Sequence, residues 1–297
     1  MTRMEFLKGV GASALTVTTG CAFAAEDRYA SMQAAIDAVS AEAYSRYINY
    51  KSDGKSELKA LQELEASFGR LCEEVKATVV TGPRPAVWHV YNMGTIVKTP
   101  KTCFSIDLKH RRECELAPCL DFALITHNHG DHFSDRFYRT MDGAHKVVIS
   151  NFQCNYGAPN CRKGQGGYTR AEKTFKIRDV EIRTSLTDHN DYLVDFTTAF
   201  EITVGGYTIY HTGDCSNVKK LSPKLGSPDL WIVHPKCGMD VADGFAKFRP
   251  KLTAIEHLNE LGHAKWRWSY ACGLQEKAKL EALGGAAVVP LWGDRLV

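Results

Sequence analysis

Apolar residues along the chain change rhythm near residue 80. Before that point they recur at steps of three and four: Tyr29, Met32, Ile36, Val39, Ala43 and Tyr47, then Leu58, Leu61, Leu64, Phe68, Leu71 and Val75. That spacing keeps one face of a 3.6-residue helix apolar. It predicts two helices, joined by the turn Ser52-Asp53-Gly54-Lys55, with Ser56 as N-cap of the second. Residues 25–82 therefore read as a helical extension leaning on a main domain over 83–297.

Thr81-Gly82-Pro83-Arg84-Pro85 interrupts the pattern. Beyond it the apolar runs shorten to strand length. Strands are predicted at 86–91, 95–98, 103–107, 122–125, 146–150, 180–185, 200–204, 207–210, 230–233, 252–255 and 286–290. Helical patterns separate several of them, notably 268–283. Alternating strands and helices imply an α/β fold of layered sheet covered by helices.

The N-terminus has a different character. Arg3 and Lys8 lead into an uncharged run from Gly9 to Gly20, which ends at Ala22-Phe23-Ala24. This is the pattern of a signal peptide over 1–24, and it predicts an exported protein, periplasmic or extracellular. The run is shorter than the roughly 20 residues a membrane-spanning helix needs, so no transmembrane segment is expected in the mature chain. Thr2-Arg3-Met4-Glu5-Phe6-Leu7-Lys8 resembles a twin-arginine export signal, with Met4 where the second arginine would stand. The ordinary secretory path and a lipid anchor at Cys21 are the alternatives.

Composition narrows the partners. The 297 residues carry 37 Lys and Arg against 34 Asp and Glu, a net charge of +3. So near a balance gives no reason to expect a nucleic acid, and a small-molecule substrate is expected instead. None of the 10 Cys forms a C-x-x-C pair, which argues against a zinc ribbon or a thioredoxin motif. Cys114 with Cys119 and Cys154 with Cys161 are close enough to be disulfide candidates. Most of the others read as small core residues. The glycine-rich stretch 163–167 does not join a strand to a helix, so it reads as a flexible loop and not a phosphate cradle.

The chemistry concentrates where the predicted strand 122–125 ends, in Thr126-His127-Asn128-His129-Gly130-Asp131-His132. Neutral imidazoles and carboxylates are the usual ligands of zinc and related ions. On extended chain His127 and His129 project to the same side and can grip one ion. Asp131 and His132, past Gly130, can reach a second, in a dinuclear site with ions roughly 3.5–4 Å apart. Further ligands must return from elsewhere. Three strand ends offer them: Thr187-Asp188-His189-Asn190, His211-Thr212-Gly213-Asp214 and Glu256-His257. His263 competes with His257 for the last place; His257 is preferred because it directly follows an apolar strand. His211 and His234 read either as groups supporting the ligands or substrate, or as structural histidines. Lys236 reads either as a contact for an anionic substrate or as a solvated lysine. The loop 151–173 is expected to shape the pocket.

The T-H-x-H-x-D-H run, the later His, the Gly213-Asp214 pair and the final His, in that order, resemble the metallo-β-lactamase superfamily from about Pro83 onward. The resemblance implies an αββα sandwich with the site along one edge. It implies His127, His129 and His189 on a first ion, Asp131, His132 and His257 on a second, Asp214 bridging both, and Asp107 as a structural aspartate. It implies two divalent ions, Zn2+ foremost, with Mn2+ or iron as alternatives. Asp131 would also orient the nucleophile and move a proton. Family members with true β-lactamase activity often carry Cys where this chain has Asp214, and nucleases carry an insertion for which 214–257 is too short. The layout is similar to the lactonase-like and phosphodiesterase-like branch.

The expected activity is therefore hydrolysis of a small ester, lactone or phosphodiester by a metal-activated hydroxide. No G-x-S-x-G serine elbow competes with this reading. Two alternatives of other classes are an iron-dependent oxygenase or redox enzyme of the same fold and a non-catalytic metal-binding protein. Among the redox members, diiron reductases replace one motif histidine with Glu, and His129 argues against that group.

Overall fold

A computed structural model describes residues 27–49, 56–152, 172–190, 192–224 and 226–297. The expected signal segment with Cys21, the turn 52–55, Cys154, Cys161, the stretch 163–167 and most of the loop 151–173 lie outside the described residues.

Two sheets face each other. The first holds β1 (Ala86–His89), β2 (Thr95–Lys98), β3 (Cys103–Ile106), β4 (Phe122–Leu124) and β5 (Val147–Ile149), hydrogen-bonded in that order. The pairs from β1 to β3 are antiparallel and those from β3 to β5 parallel. The second holds β6 (Lys173–Ile177), β7 (Val180–His189), β8 (Leu193–Val204), β9 (Tyr207–His211), β10 (Leu230–Val233), β11 (Leu252–Ile255) and β12 (Ala287–Val288), in the order β12-β11-β10-β9-β8-β7-β6. Strands β6 to β9 pair antiparallel, and β9 to β12 run parallel.

The central strands are apolar on both faces, which is why they read as unbroken hydrophobic runs. Alternate side chains divide between two cores. Phe104, Ile106, Phe122, Leu124, Ile209, Leu230 and Ile232 fill the space between the sheets. Ala123, Ile125, Tyr210, Trp231 and Val233 point the other way, into a core shared with the helices. The arrangement is a mixed α/β sandwich of two sheets and covering helices, as expected.

The N-terminal extension differs from its prediction. The apolar stripe over 29–47 belongs to two helices, not one: α1 (27–37) and α2 (Ala41–Ile48). Ser40 breaks the stripe, because its hydroxyl accepts the backbone N–H of Ala43 and starts a new helix there. The second predicted helix is α3 (Lys59–Ala77), whose N-cap position is Leu58. Ser56 is not the cap; its hydroxyl accepts from the N–H of Leu58, two residues on. Helix α3 packs against His110, whose ring stacks on Phe68 at 3.9 Å. Burial, with Arg112 close by, pushes that imidazole down to about 3.

Three elements escaped the sequence reading: β6, α4 (Asp135–Gly143) and α5 (Val241–Phe248). The predicted C-terminal helix is α6 (Tyr270–Ala282). Strands β7 and β8 extend beyond the predicted bounds into polar sequence. The proposed Cys114–Cys119 disulfide is absent: both thiols are free, and Cys114 Sγ lies 3.2 Å from Thr140 Oγ1 instead. No helix among the described residues is long and apolar enough to cross a membrane.

Candidate metal centre

The parallel strands of both sheets end at a common edge, and the chemistry gathers there, as is usual at the carboxyl ends of parallel strands. Strand β4 delivers the segment from Thr126 to His132. A register shift between Thr187 and His189 lets β7 turn His189 toward it. Strand β9 ends at His211, and Gly213 bends the chain so that Asp214 faces inward. Gly213 has a φ of 53°, and a Cβ there would lie 2.8 Å from Thr197 Cγ2 and 2.9 Å from Thr126 Cβ. Strand β10 leads to His234 and β11 to His257.

Asp214 is the hub of the cluster. Its Oδ1 lies 3.3 Å from His132 Nε2, and its Oδ2 lies 3.4 Å from the Nε2 atoms of both His189 and His257. His127 Nε2 is 4.0 Å away. The donor atoms of His127, His129 and His189 lie within 4.8 Å of one another, as do those of Asp131, His132 and His257, and those of His127, His132 and Asp214. The predicted ligands thus converge in the two sets expected, with Asp214 between them.

Burial makes the cluster costly without a cation. His127 Nε2, His132 Nε2, both ring nitrogens of His189 and Asp214 Oδ1 are buried with no hydrogen-bond partner. Buried polar atoms are normally paired, so a group of donors aimed at one point fits a metal centre. Two of the imidazoles are also oriented from behind. His127 Nδ1 lies 2.9 Å from Thr126 Oγ1, and His132 Nδ1 lies 2.8 Å from Asp107 Oδ2. The Phe196 ring packs 5.0–5.8 Å from the rings of His127, His129 and His189, an apolar cover on that side.

The charges fit the same picture. Burial opposes the ionised form of Asp131 and Asp214, yet His132 and His257 hold both carboxyls well below their usual range. Burial likewise opposes protonation of His132 and His257, but the facing carboxylates win: His132 is raised well above its ordinary value and His257 to about 10. Desolvation pushes His127, His129 and His234 down. The two buried carboxylates thus favour positive charge at this point, which a divalent cation would supply.

The remaining sequence candidates separate cleanly. His263 does not join the cluster: its Nδ1 faces Glu260 at 3.2 Å, and its side chain is 53% exposed. His211 is structural, with Nε2 3.1 Å from the Met93 carbonyl and Nδ1 accepting from the N–H of Gly213. His234 stacks on His257 at 3.9 Å and lies within ligand reach of Asp214. Lys236 is exposed on the cavity rim, and its ammonium pairs with Glu276 at 2.7 Å. Asp107 holds the base of the site, accepting from the N–H and the hydroxyl of Thr126 as well as facing His132.

Sequence reasoning missed several residues. Asn92 donates to Asp131 Oδ2, and its carbonyl accepts the His257 N–H, so one residue ties both ligands together. Its φ of 56° places it in a turn, where the sequence offered only Asn92-Met93-Gly94 as a signal. Cys237 Sγ lies within 4.8 Å of donor atoms of His189 and Asp214. Beside the cluster opens a cavity of about 380 Å³. Tyr192, Trp266 and Trp268 line it together with His129, Asp131, Asp214, His257 and His263.

Known proteins share this architecture. The solved structure of Igni18, a metallo hydrolase from the archaeon Ignicoccus hospitalis, is 18% identical over 72% of this chain and 98% of that one, with a TM-score of 0.55. CmlA, a diiron β-hydroxylase from Streptomyces venezuelae, is 15% identical over 73% of this chain and 54% of that one, with a TM-score of 0.53. An isothiocyanate hydrolase from Delia radicum gut bacteria is 13% identical over 71% and 98%, with a TM-score of 0.52. At these identities the likeness is one of fold. The fold and the His/Asp cluster together support a metal-dependent enzyme. A family model described as a beta-lactamase superfamily domain matches residues 77–235, more than half of the 297-residue chain, and the protein belongs to that superfamily.

Proposed function

We propose that the protein is a hydrolase with a dinuclear metal centre, acting on a small ester, lactone or phosphodiester. The observation that carries this reading is the pair of donor sets sharing Asp214 at the floor of a small cavity. His127, His129 and His189 would hold one ion, and Asp131, His132 and His257 the other. Zn2+ suits this mixture of imidazole and carboxylate donors, with Mn2+ or iron as alternatives. When bound, such ions acidify a water molecule toward neutral pH and polarise an oxygen of the scissile group.

The chain's own residues do the rest. Asp131 is oriented by Asn92, whose Nδ2 lies 3.2 Å from its Oδ2. Its carboxylate can therefore orient a water and accept its proton. Tyr192, Trp266 and Trp268 supply the apolar part of the cavity wall against which a small substrate can pack.

Purified protein should bind close to two equivalents of Zn2+ and turn over members of a lactone, ester and phosphodiester panel. His127→Ala should lose metal from its set and nearly all turnover. Protein that binds metal but hydrolyses no member of the panel would sink this reading.

Likeness to a diiron β-hydroxylase favours one alternative, an iron-dependent oxygenase. Iron retained through purification without added metal, with dioxygen consumption, would select it. Export is proposed from the signal-like residues 1–24, and sequencing the mature N-terminus tests it.

A further inference from the structure

A second device sits on the cavity wall, outside the metal cluster. Glu260 is buried, with a side chain only 2% exposed. Its Oε1 accepts from the N–H of Gly262 at 2.8 Å and the hydroxyl of Tyr91 at 3.2 Å. Tyr91 is itself fixed, since its oxygen accepts the N–H of Leu261. The other oxygen, Oε2, faces Nδ1 of His263 at 3.2 Å. A Cβ on Gly262 would lie 2.9 Å from Glu260 Oε1, so the glycine lets the loop fold this tightly over the carboxylate.

An exposed carboxylate–imidazole pair would carry little meaning. This one differs because the carboxylate is buried and held at two points through Oε1, leaving Oε2 to face an imidazole on the cavity wall. With Nδ1 engaged, Nε2 is the nitrogen left for a ligand, and no described residue hydrogen-bonds to it. A buried acid that fixes one ring nitrogen and raises the basicity of the other is a recurrent way to position a proton-transferring histidine.

We propose that His263 is the proton donor to the leaving group, positioned by Glu260. This rests on the hydrolase reading above. The scissile bond to the leaving oxygen breaks and its electron pair stays on that oxygen, which takes the proton from His263 Nε2 and departs as a neutral alcohol. The attacking water gives its own proton to Asp131. Solvent then reprotonates His263 and deprotonates Asp131, so the sum is water plus ester giving acid plus alcohol. A built-in donor is useful only where the leaving group is basic. The substrate class is therefore an ester, lactone or phosphodiester of an alkyl alcohol, and not of an activated phenol.

The surroundings agree. Glu260, 3.2 Å from Nδ1, is the largest influence on His263 and raises it above its ordinary value. Asp131 adds to this, while burial and His257 oppose it. Asp214 and Lys236 also border the cavity, Lys236 neutralised by Glu276, and Lys265 stands over Trp266 on the neighbouring turn.

Two measurements test the proposal. The first is NMR titration of the His263 ring in metal-free protein. His263 should titrate above 6.5 in the wild type and fall in Glu260→Gln; titration unchanged by that variant would overturn the positioning role. The second compares an alkyl ester with the nitrophenyl ester of the same acid, using metal-loaded wild type and His263→Ala of equal metal content. The alkyl-to-nitrophenyl ratio of kcat/KM should fall about 100-fold in the variant, the lower end of the usual contribution of such catalysis. An equal loss on both esters, or no loss, with wild type active, overturns the donor role alone. The pair is drawn from the class of the lactone, ester and phosphodiester panel that wild type turns over; wild type that hydrolyses no member of the panel overturns the hydrolase reading and the donor role with it.

Discussion

Asp107 Oδ2 lies 2.8 Å from Nδ1 of His132, and the same carboxylate accepts the N–H and the hydroxyl of Thr126. Three donors on one buried acid leave His132 Nε2 as the nitrogen free for an ion. Asp107→Asn keeps the shape but brings an amide N–H against one of those donors. Metal affinity should fall about 10- to 100-fold, the usual effect of removing a partner behind a ligand. Competition with a chromophoric chelator reads the change, and unchanged affinity would deny Asp107 this role.

Removing metal should cost stability. Without a cation the site places Asp131 and Asp214 among five ligand imidazoles, several with unpartnered nitrogens. An ion that binds only the folded chain adds about 2.7 kcal/mol at a concentration 100 times its Kd. For a domain of this size that is roughly 5–10 °C in Tm. A thermal melt with and without chelator measures it; superimposable melts would mean that the donors are satisfied without an ion.

Gly213 bears on both fold and site. Its φ of 53° and the closeness of Thr197 and Thr126 leave no room for a methyl group. Gly213→Ala should destabilise the protein by about 1–3 kcal/mol. It should also displace the neighbouring Asp214, so metal stoichiometry drops along with the urea midpoint. A variant that melts lower but still binds its full metal complement would separate the two effects.

His110 sets a pH dependence remote from the metal. Folded, its pKa is about 3; unfolded, it returns to the ordinary 6.5. Between those values the unfolded chain binds a proton that the folded chain refuses, so acid favours unfolding. Stability should fall as pH drops from about 6.5 toward 3, by up to about 1.4 kcal/mol per pH unit, with no such change above that window. Urea unfolding of metal-free wild type and His110→Gln across this range isolates the contribution. Parallel slopes for the two proteins would refute it.

Most of the sandwich could be read from the chain because its central strands are apolar on both faces. Leu230–Val233 was recognised with both ends in place for that reason. The T-H-x-H-x-D-H run told of a metal centre because so many donors in one short segment have few other uses. What stayed hidden was polar or conditional on partners. Strand β6 is an edge strand reading Lys-Thr-Phe-Lys-Ile, too short and charged to announce itself. Helix α4 buries Phe137, Tyr138 and Met141 behind the Ser134 cap, too few apolar positions in nine residues to set a period. The break at Ser40 was invisible because the stripe runs straight through it. Asn92, Glu260 and Tyr91 matter through contacts distant in sequence, which no local pattern encodes.

The break at Ser40 reaches further than the helices it separates. At the break the carbonyls of Ile36 and Val39 both accept from the guanidinium of Arg267. Arg267 also donates to the carbonyls of Glu260 and Leu261, and it sits between Trp266 and Trp268 in sequence. The N-terminal helices thus grip one side of the cleft like a hand on a door. Through Arg267, the backbone of Ile36 and Val39 braces the turn that sets Trp266 and Trp268 on the cavity wall.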